Sequence, residues 1–79
     1  MAAKFDYEIT EHIAIIGSNA GYTLELNRVS YNGYPAKLDL RRWRDGQPLK
    51  GVTLSNDEAR SLLETLQALE RAGGLGNGE

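Results

Sequence analysis

Lysine, arginine and tryptophan recur on one side of an alternating segment near the middle of the chain, residues 36–44. Lys37, Arg41 and Trp43 are separated by four and two residues, so in a β-strand their side chains share one face. Cations of this kind neutralise phosphates while an aromatic ring stacks on a base, and together they hold single-stranded nucleic acid. The spacing therefore indicates a nucleic-acid interface on this strand.

A second interpretation fits the same pattern. In it, Trp43 packs under the loop of residues 47–50, and Arg41 and Arg42 are simply solvated. If the first interpretation holds, Tyr31 and Tyr22 on the preceding strand would extend the aromatic surface, and Arg28, Asn27 and Lys50 would extend the polar one. The pattern alone does not separate the two interpretations.

Alternation divides the cations of the strand itself. Arg42 and Arg44 have the opposite parity to Trp43, so we expect them on the other face, as bystanders or edge contacts.

Other chemistries have little support in the sequence. The chain has no cysteine and a single histidine, His12, so it lacks the ligands that zinc sites use, and His12 is expected at the surface. Asp57 and Glu58 resemble a carboxylate pair, but helix capping explains both. The serines have no base in a recognisable arrangement. We therefore expect no enzymatic activity, no metal and no cofactor.

Charge is distributed unevenly along the chain. Its formal net charge is −2, yet residues 25–53 hold six of the nine lysines and arginines against three carboxylates. Local fields govern phosphate binding more than the total charge does. No apolar run is long enough to span a membrane, and residues 1–4 lack the apolar segment of a signal peptide, so a cytoplasmic location is expected.

Hydropathy patterns predict four strands followed by one helix, an α+β fold with an antiparallel sheet. The strands are expected at residues 4–17, 22–31, 36–44 and 50–54, with a bulge near residues 10–12 and Pro48 in a loop. Ser55 and Glu58 form a capping box that starts the helix, and Gly73 ends it. Residues 1–72 are the predicted domain, and the glycine-rich residues 73–79 are a predicted flexible tail.

The predicted helix bears an apolar stripe that is large for so short a chain. Leu62, Leu63, Leu66 and Leu69 recur at helical spacing. We expect part of this stripe to cover the sheet and part to pack against a second copy, although packing on one sheet within a monomer remains the alternative.

Three segments together resemble a known family. Residues 25–32 (ELNRVSYN), 37–43 (KLDLRRW) and 50–55 (KGVTLS) look like the bacterial YdbC family, which is related to the single-stranded DNA-binding domain of the transcriptional coactivator positive cofactor four. The likeness covers roughly residues 4–70. It implies a strongly curved four-stranded antiparallel sheet, a C-terminal helix, a homodimer and single-stranded DNA held on the concave face. At Thr23-Leu24, where relatives tend to be basic, the sequence departs from the pattern.

The resemblance also implies a set of binding residues. Arg41 and Trp43 match the cation and aromatic residue of the third strand, Tyr31 an aromatic residue ending the second, and Lys50 the basic residue before glycine; Lys37 and Arg28 lie in the matching region. The hypotheses at this point are a single-stranded DNA-binding dimer, an RNA binder, and a protein-interaction module without nucleic acid.

Overall fold

Four antiparallel strands and one helix follow one another in the computed structural model, which describes residues 6–76. The elements are β1 (Tyr7–Asn19), β2 (Tyr22–Tyr31), β3 (Lys37–Arg44), β4 (Gln47–Leu54) and α1 (Asn56–Arg71). The sheet is open, with the strands in the order β1-β2-β3-β4. The predicted α+β fold, a four-stranded antiparallel sheet followed by one helix, is confirmed.

Tight turns join the strands where glycine follows a residue of positive φ. Ala20-Gly21 joins β1 to β2, and Asp45-Gly46 joins β3 to β4, with φ near +50° at the first residue of each pair and near +80° at the glycine. Because the second turn is so short, β4 starts at Gln47 instead of residue 50. The expectation that Pro48 lies in a loop is wrong: it lies in β4, an edge strand, where a missing N–H is tolerated.

Strand β1 is irregular. Its pairing with β2 shifts register three times, between Ile9 and Glu11, between His12 and Ala14, and between Ile15 and Gly17. The first shift confirms the bulge predicted near residues 10–12. Each bulge bends its strand and increases the local twist, so β1 departs from a flat ribbon along most of its length.

Strict alternation along β2 and β3 gives the sheet two distinct faces. The tryptophan face carries Thr23, Glu25, Asn27, Val29, Tyr31, Lys37, Asp39, Arg41 and Trp43; all of these except Tyr31 pair across the two strands, and Tyr31 pairs with Tyr7 of β1. The leucine face carries Tyr22, Leu24, Leu26, Arg28, Leu38, Leu40, Arg42 and Arg44. As predicted, Lys37, Arg41 and Trp43 share one face, and Arg42 and Arg44 lie on the other.

The tryptophan face holds the most deeply buried residues of the described chain. Val29 and Trp43 are its buried apolar side chains, and Asn27 and Asp39 its buried polar ones. On the leucine face, the four leucines of β2 and β3 are only half-buried. The leucine face is therefore more open to solvent than the tryptophan face.

Helix α1 follows β4 after a single residue. The Ser55 hydroxyl accepts a hydrogen bond from the Glu58 N–H (3.1 Å), and the Glu58 carboxylate accepts one from the Ser55 N–H (2.8 Å), which confirms the predicted capping box. The helix ends at Arg71, and Gly73 adopts φ +77°, as the predicted stop requires. The flexibility predicted for residues 73–79 stays a prediction: residues 73–76 form turns, and residues 77–79 lie outside the described chain.

Among the described residues, α1 touches the sheet only along β3 and β4, and none of its residues is buried. A groove of about 290 Å³ separates the helix from the leucine face. Its lining is apolar and comprises Ile16, Leu24, Leu26, Leu38, Leu40, Leu54, Ala59, Leu62, Leu63 and Leu66. The helix stripe thus faces the sheet without closing on it.

Candidate nucleic-acid interface

A buried carboxylate organises the tryptophan face. Asp39, on β3, is 0% exposed. Arg41 approaches it in a bidentate pair, with Nε and Nη2 each 2.8 Å from a carboxylate oxygen, and the Tyr31 hydroxyl donates to Asp39 Oδ2 at 2.5 Å. Such charge-assisted, bidentate bonds are strong and directional, so these three side chains form one rigid unit.

Arg41 is largely committed within the fold. Its Nη1 donates to the Leu49 carbonyl at 2.8 Å, so three of its five N–H groups have intramolecular acceptors. Its guanidinium carbon lies 5.8 Å from the centre of the Tyr31 ring. The hydrogen bonds that Arg41 donates to the Asp39 carboxylate raise the pKa of Arg41 further above its ordinary value. Because Asp39 offsets its charge, Arg41 is a weaker phosphate ligand than the sequence suggests.

Tyr31 is held in its neutral form. Burial, reinforced by the hydrogen bond to Asp39 and by that carboxylate's negative charge, raises the pKa of Tyr31 to about 12. A phenolate here would lose hydration and face Asp39, so the hydroxyl remains a donor throughout the neutral range.

Gly51 allows β4 to approach β3 at this network. It pairs with Arg41, and a Cβ added at residue 51 would overlap the Cβ of Arg41 and crowd the Leu40 carbonyl. Only glycine leaves room for the Arg41 backbone here.

Trp43 is a packed residue and not an open platform. It is 7% exposed, pairs with Pro48 on β4, and lies with its ring centre 6.1 Å from that of Tyr7, at an interplanar angle of 60°. The expectation of an exposed indole is wrong because Tyr7 of β1 reaches it from across β2. The alternative interpretation, packing within the fold, describes Trp43 better, although its neighbours are strands instead of a loop.

A cleft of about 340 Å³ opens beside Trp43, with Ile9, His12, Thr23 and Glu25 in its wall. Thr23 Oγ1 donates to Glu25 Oε2 at 2.6 Å. The Trp43 Nε1–H is buried and has no hydrogen-bond partner in the described chain. His12 is exposed, as predicted, and the described residues contain no cluster of metal-ligating groups.

An exposed tyrosine, a half-buried tyrosine and a lysine meet at the opposite end of the tryptophan face. Tyr31, Tyr34, Pro35 and Lys37 line a cleft of about 170 Å³. Tyr34 is 70% exposed, Lys37 is exposed, and Lys37 forms no ion pair with any described residue. Sequence reasoning missed Tyr34, although its place between Asn32-Gly33 and Pro35 marks an exposed turn residue.

Two other predicted site residues lie away from this cleft. Arg28 belongs to the leucine face, where its Nε is 3.3 Å from Glu11 Oε1. The expectation that it extends the tryptophan face is wrong, because its side chain alternates in step with Leu24 and Leu26 along β2. Lys50 lies in a bulge of β4: Gly51 pairs with Arg41 and Pro48 with Trp43, so Leu49 and Lys50 together face Arg42. The structure does not group Arg28 or Lys50 with Lys37 and Trp43.

The charges of the tryptophan face balance. Glu25 and Asp39 offset Lys37 and Arg41 along β2 and β3, so this face has no net formal charge. The face otherwise offers aromatic rings and hydrogen-bonding groups, and its Lys37 forms no ion pair with a described residue.

Together these observations define a small α+β domain with an open antiparallel sheet, an aromatic face and a detached amphipathic helix. In the described part of the chain, no helix is long and apolar enough to cross a bilayer. No known family model matches the sequence.

The chain is 35% identical over 68 residues to an uncharacterized protein of Treponema pallidum (strain Nichols), a match that covers 82% of this chain and 80% of the Treponema protein. It belongs to the same family as that protein.

Proposed function

We propose that the protein binds single-stranded DNA on the tryptophan face, with little sequence specificity, as a member of the YdbC-like group. The observation that carries this proposal is the cleft of Tyr31, Tyr34 and Lys37, where the exposed ring of Tyr34 and the half-buried ring of Tyr31 lie beside a lysine that forms no ion pair with a described residue. Stacking on such rings tolerates any base, and the lysine meets the adjacent phosphate. The likeness of residues 25–55 to the YdbC pattern supports the same function.

Within this proposal, four of the six residues singled out from the sequence have distinct roles. Tyr31 and Lys37 contact the single-stranded DNA directly. Trp43 shapes the face through its packing, and Arg41 does so through its ion pair with Asp39. Tyr34 joins them as the most exposed ring of the cleft.

Fluorescence anisotropy tests this arrangement. Labelled single-stranded DNA, duplex DNA and RNA of equal length should be titrated at two salt concentrations, and single-stranded DNA should bind best. Tyr34→Ala should weaken binding by about 1–3 kcal/mol if the ring stacks on a base, while Tyr34→Phe should retain it. Equal affinity of Tyr34→Ala and the wild type would remove the ring from the site.

We further propose that the protein is a homodimer, in which a second copy covers the leucine face. Leu63 is 55% exposed and Leu66 44%, although both point into the apolar groove beside the sheet. Helices in proteins derive most of their stability from packing an apolar face, and α1 buries none of its residues. A second copy supplies a matching helix and groove, because a two-fold interface uses the same patch twice.

Sedimentation measurements test the dimer. Leu63→Glu places a charge in the groove and should yield a monomer, whereas Gln67→Glu adds the same charge to an exposed helix residue outside the groove lining and should leave the assembly intact. A wild type that sediments as a monomer at micromolar concentration would contradict the proposal.

The second candidate is a protein-interaction module without a nucleic-acid role. The open leucine groove and the net charge of −2 favour it. Failure of the wild type to bind oligo-dT at low salt would support this candidate and refute the first. Tighter binding of RNA than of DNA would instead identify an RNA-binding protein.

A further inference from the structure

A set of cations outside the tryptophan face lacks carboxylate partners. Arg42, Arg44 and Lys50 are all exposed, and none of them forms an ion pair with a described residue. By contrast, Arg41 and Arg28 are paired with Asp39 and Glu11. Arg42 and Arg44 are the two cations that alternation assigned to the other face, so much of the positive charge in the middle of the chain is available there.

Strand pairing brings these three cations together. Arg42 faces Leu24 on one side and the Leu49–Lys50 bulge on the other, so Lys50 lies directly across from it. Arg44 is two residues further along β3, on the same face, at a spacing of about 6.7 Å. That spacing is similar to the separation of successive phosphates in an extended strand.

Arg44 is fixed in place without losing its charge. Its Nη1 donates to the Tyr22 hydroxyl at 2.7 Å, and its guanidinium carbon lies 4.8 Å from the centre of the Tyr22 ring. A neutral phenol orders the guanidinium but does not neutralise it, and a stacked guanidinium keeps N–H groups directed outward for phosphate oxygens. Arg41 is ordered too, but by a carboxylate that cancels its charge.

No carboxylate pairs with Arg42 or Arg44 across the neighbouring described strands. The pairing partners of Arg42 and Arg44 are Leu24, Tyr22 and Gln47, and the nearby Asp45 lines the cleft beside Trp43 on the opposite face. None of the three cations lines the apolar groove, which is the part of the leucine face that a second copy is proposed to cover.

We infer that Arg42, Arg44 and Lys50 form a second contact surface, which binds the phosphate backbone of a single-stranded nucleic acid. The inference rests on the proposed function for the identity of the ligand. The two faces then have separate tasks: the tryptophan face takes bases, and this patch supplies the electrostatic attraction that the balanced tryptophan face lacks.

Salt dependence of binding tests the patch. The double variant R42Q/R44Q should weaken binding of labelled oligo-dT and reduce the slope of log affinity against log salt by about 1.4, since each phosphate contact on a single strand contributes about 0.7. Between about 50 and about 200 mM salt, the wild type should lose about sevenfold more affinity than the variant. The matched control R60Q/R71Q removes two helix arginines and should keep the wild-type slope. The variant R42K/R44K retains the positive charge and should restore most of the wild-type slope.

A second titration with inorganic polyphosphate, which has phosphates but no bases, separates this inference from the proposed function. If R42Q/R44Q behaves like R60Q/R71Q while the wild type binds oligo-dT, the patch is refuted and the proposed function survives. If the wild type binds polyphosphate through the patch but prefers it to oligo-dT, the patch is upheld and the proposed function fails. Binding of neither polymer at low salt refutes both.

Discussion

Replacing the carboxylate of Asp39 should destabilise the fold far more than removing an ion pair from the exposed surface does. Asp39 is fully buried and accepts hydrogen bonds from Tyr31 and, twice, from Arg41. Asp39→Asn preserves the shape of the side chain but removes its charge. The amide also turns one acceptor into a donor, which then faces a guanidinium that can only donate.

The size of the effect follows from the burial of the partner. Breaking a buried ion pair by removing one member costs about 3–5 kcal/mol, because the remaining charge is left uncompensated. The Arg41 side chain is 18% exposed and keeps the Leu49 carbonyl. Part of its charge can therefore still be hydrated, which places the expected loss at the lower end, about 3 kcal/mol.

Urea unfolding measures this loss. Trp43 is the only tryptophan and is buried, so its fluorescence reports the transition. Protein concentration must be held constant, because dimerisation would add to the apparent stability. Asp57→Asn is the matched control: it removes the carboxylate of the exposed pair with Arg60, whose loss should matter little.

The outcome has two parts. Asp39→Asn should lower the urea midpoint clearly while Asp57→Asn barely shifts it. In the Asp39→Asn background, Arg41→Gln should recover part of the loss by removing the uncompensated charge. If Asp39→Asn is no more destabilising than Asp57→Asn, the network does not hold the face together and the reasoning fails.

Three further results are expected. The difference in 295-nm absorbance between the wild type and Tyr31→Phe should show a titration with a midpoint near pH 12. Because the pKa of Tyr31 is higher in the folded state than in the unfolded state, its contribution to stability is complete below about pH 10 and declines as pH rises through 12. A midpoint near 10 would refute the raised pKa. Acrylamide should quench Trp43 emission poorly in the folded protein, since the indole is 7% exposed, and quenching as strong as in urea would contradict its packing. Gly51→Ala should lower the melting temperature because its methyl group would collide with Arg41, an effect that Gly17→Ala, which has open space, should not share.

The elements of the fold could be predicted because their signals are local. Alternation, turn glycines and the Ser55–Glu58 capping box each depend on a few neighbouring residues, and the bounds of β2 were predicted without error. Pro48 misled the prediction of β4, since proline marks a loop in most contexts and an edge strand only when the pairing is known.

The environment of the site could not be predicted in the same way. Burial of Trp43 depends on Tyr7, which is 36 residues away and reaches it through the irregular path of β1. Alternation correctly separated Arg42 from Arg41. It could not show that Asp39 neutralises Arg41, whereas Arg42 forms no ion pair with a described residue. The sequence also does not reveal how far the helix stands from the leucines of the sheet.

The bulges of β1 also bear on the solubility of the protein. An open sheet exposes the free hydrogen-bonding groups of its edge strands, and a long, regular edge invites other chains to add to it and aggregate. β1 is 13 residues long and carries the exposed Ile13, Ile15 and Ile16. Three register shifts interrupt its free edge, so an incoming strand cannot pair with it over more than a few residues, while Pro48 and Lys50 protect the other edge, β4. The irregularity that shapes one face thus also guards the sheet against uncontrolled growth.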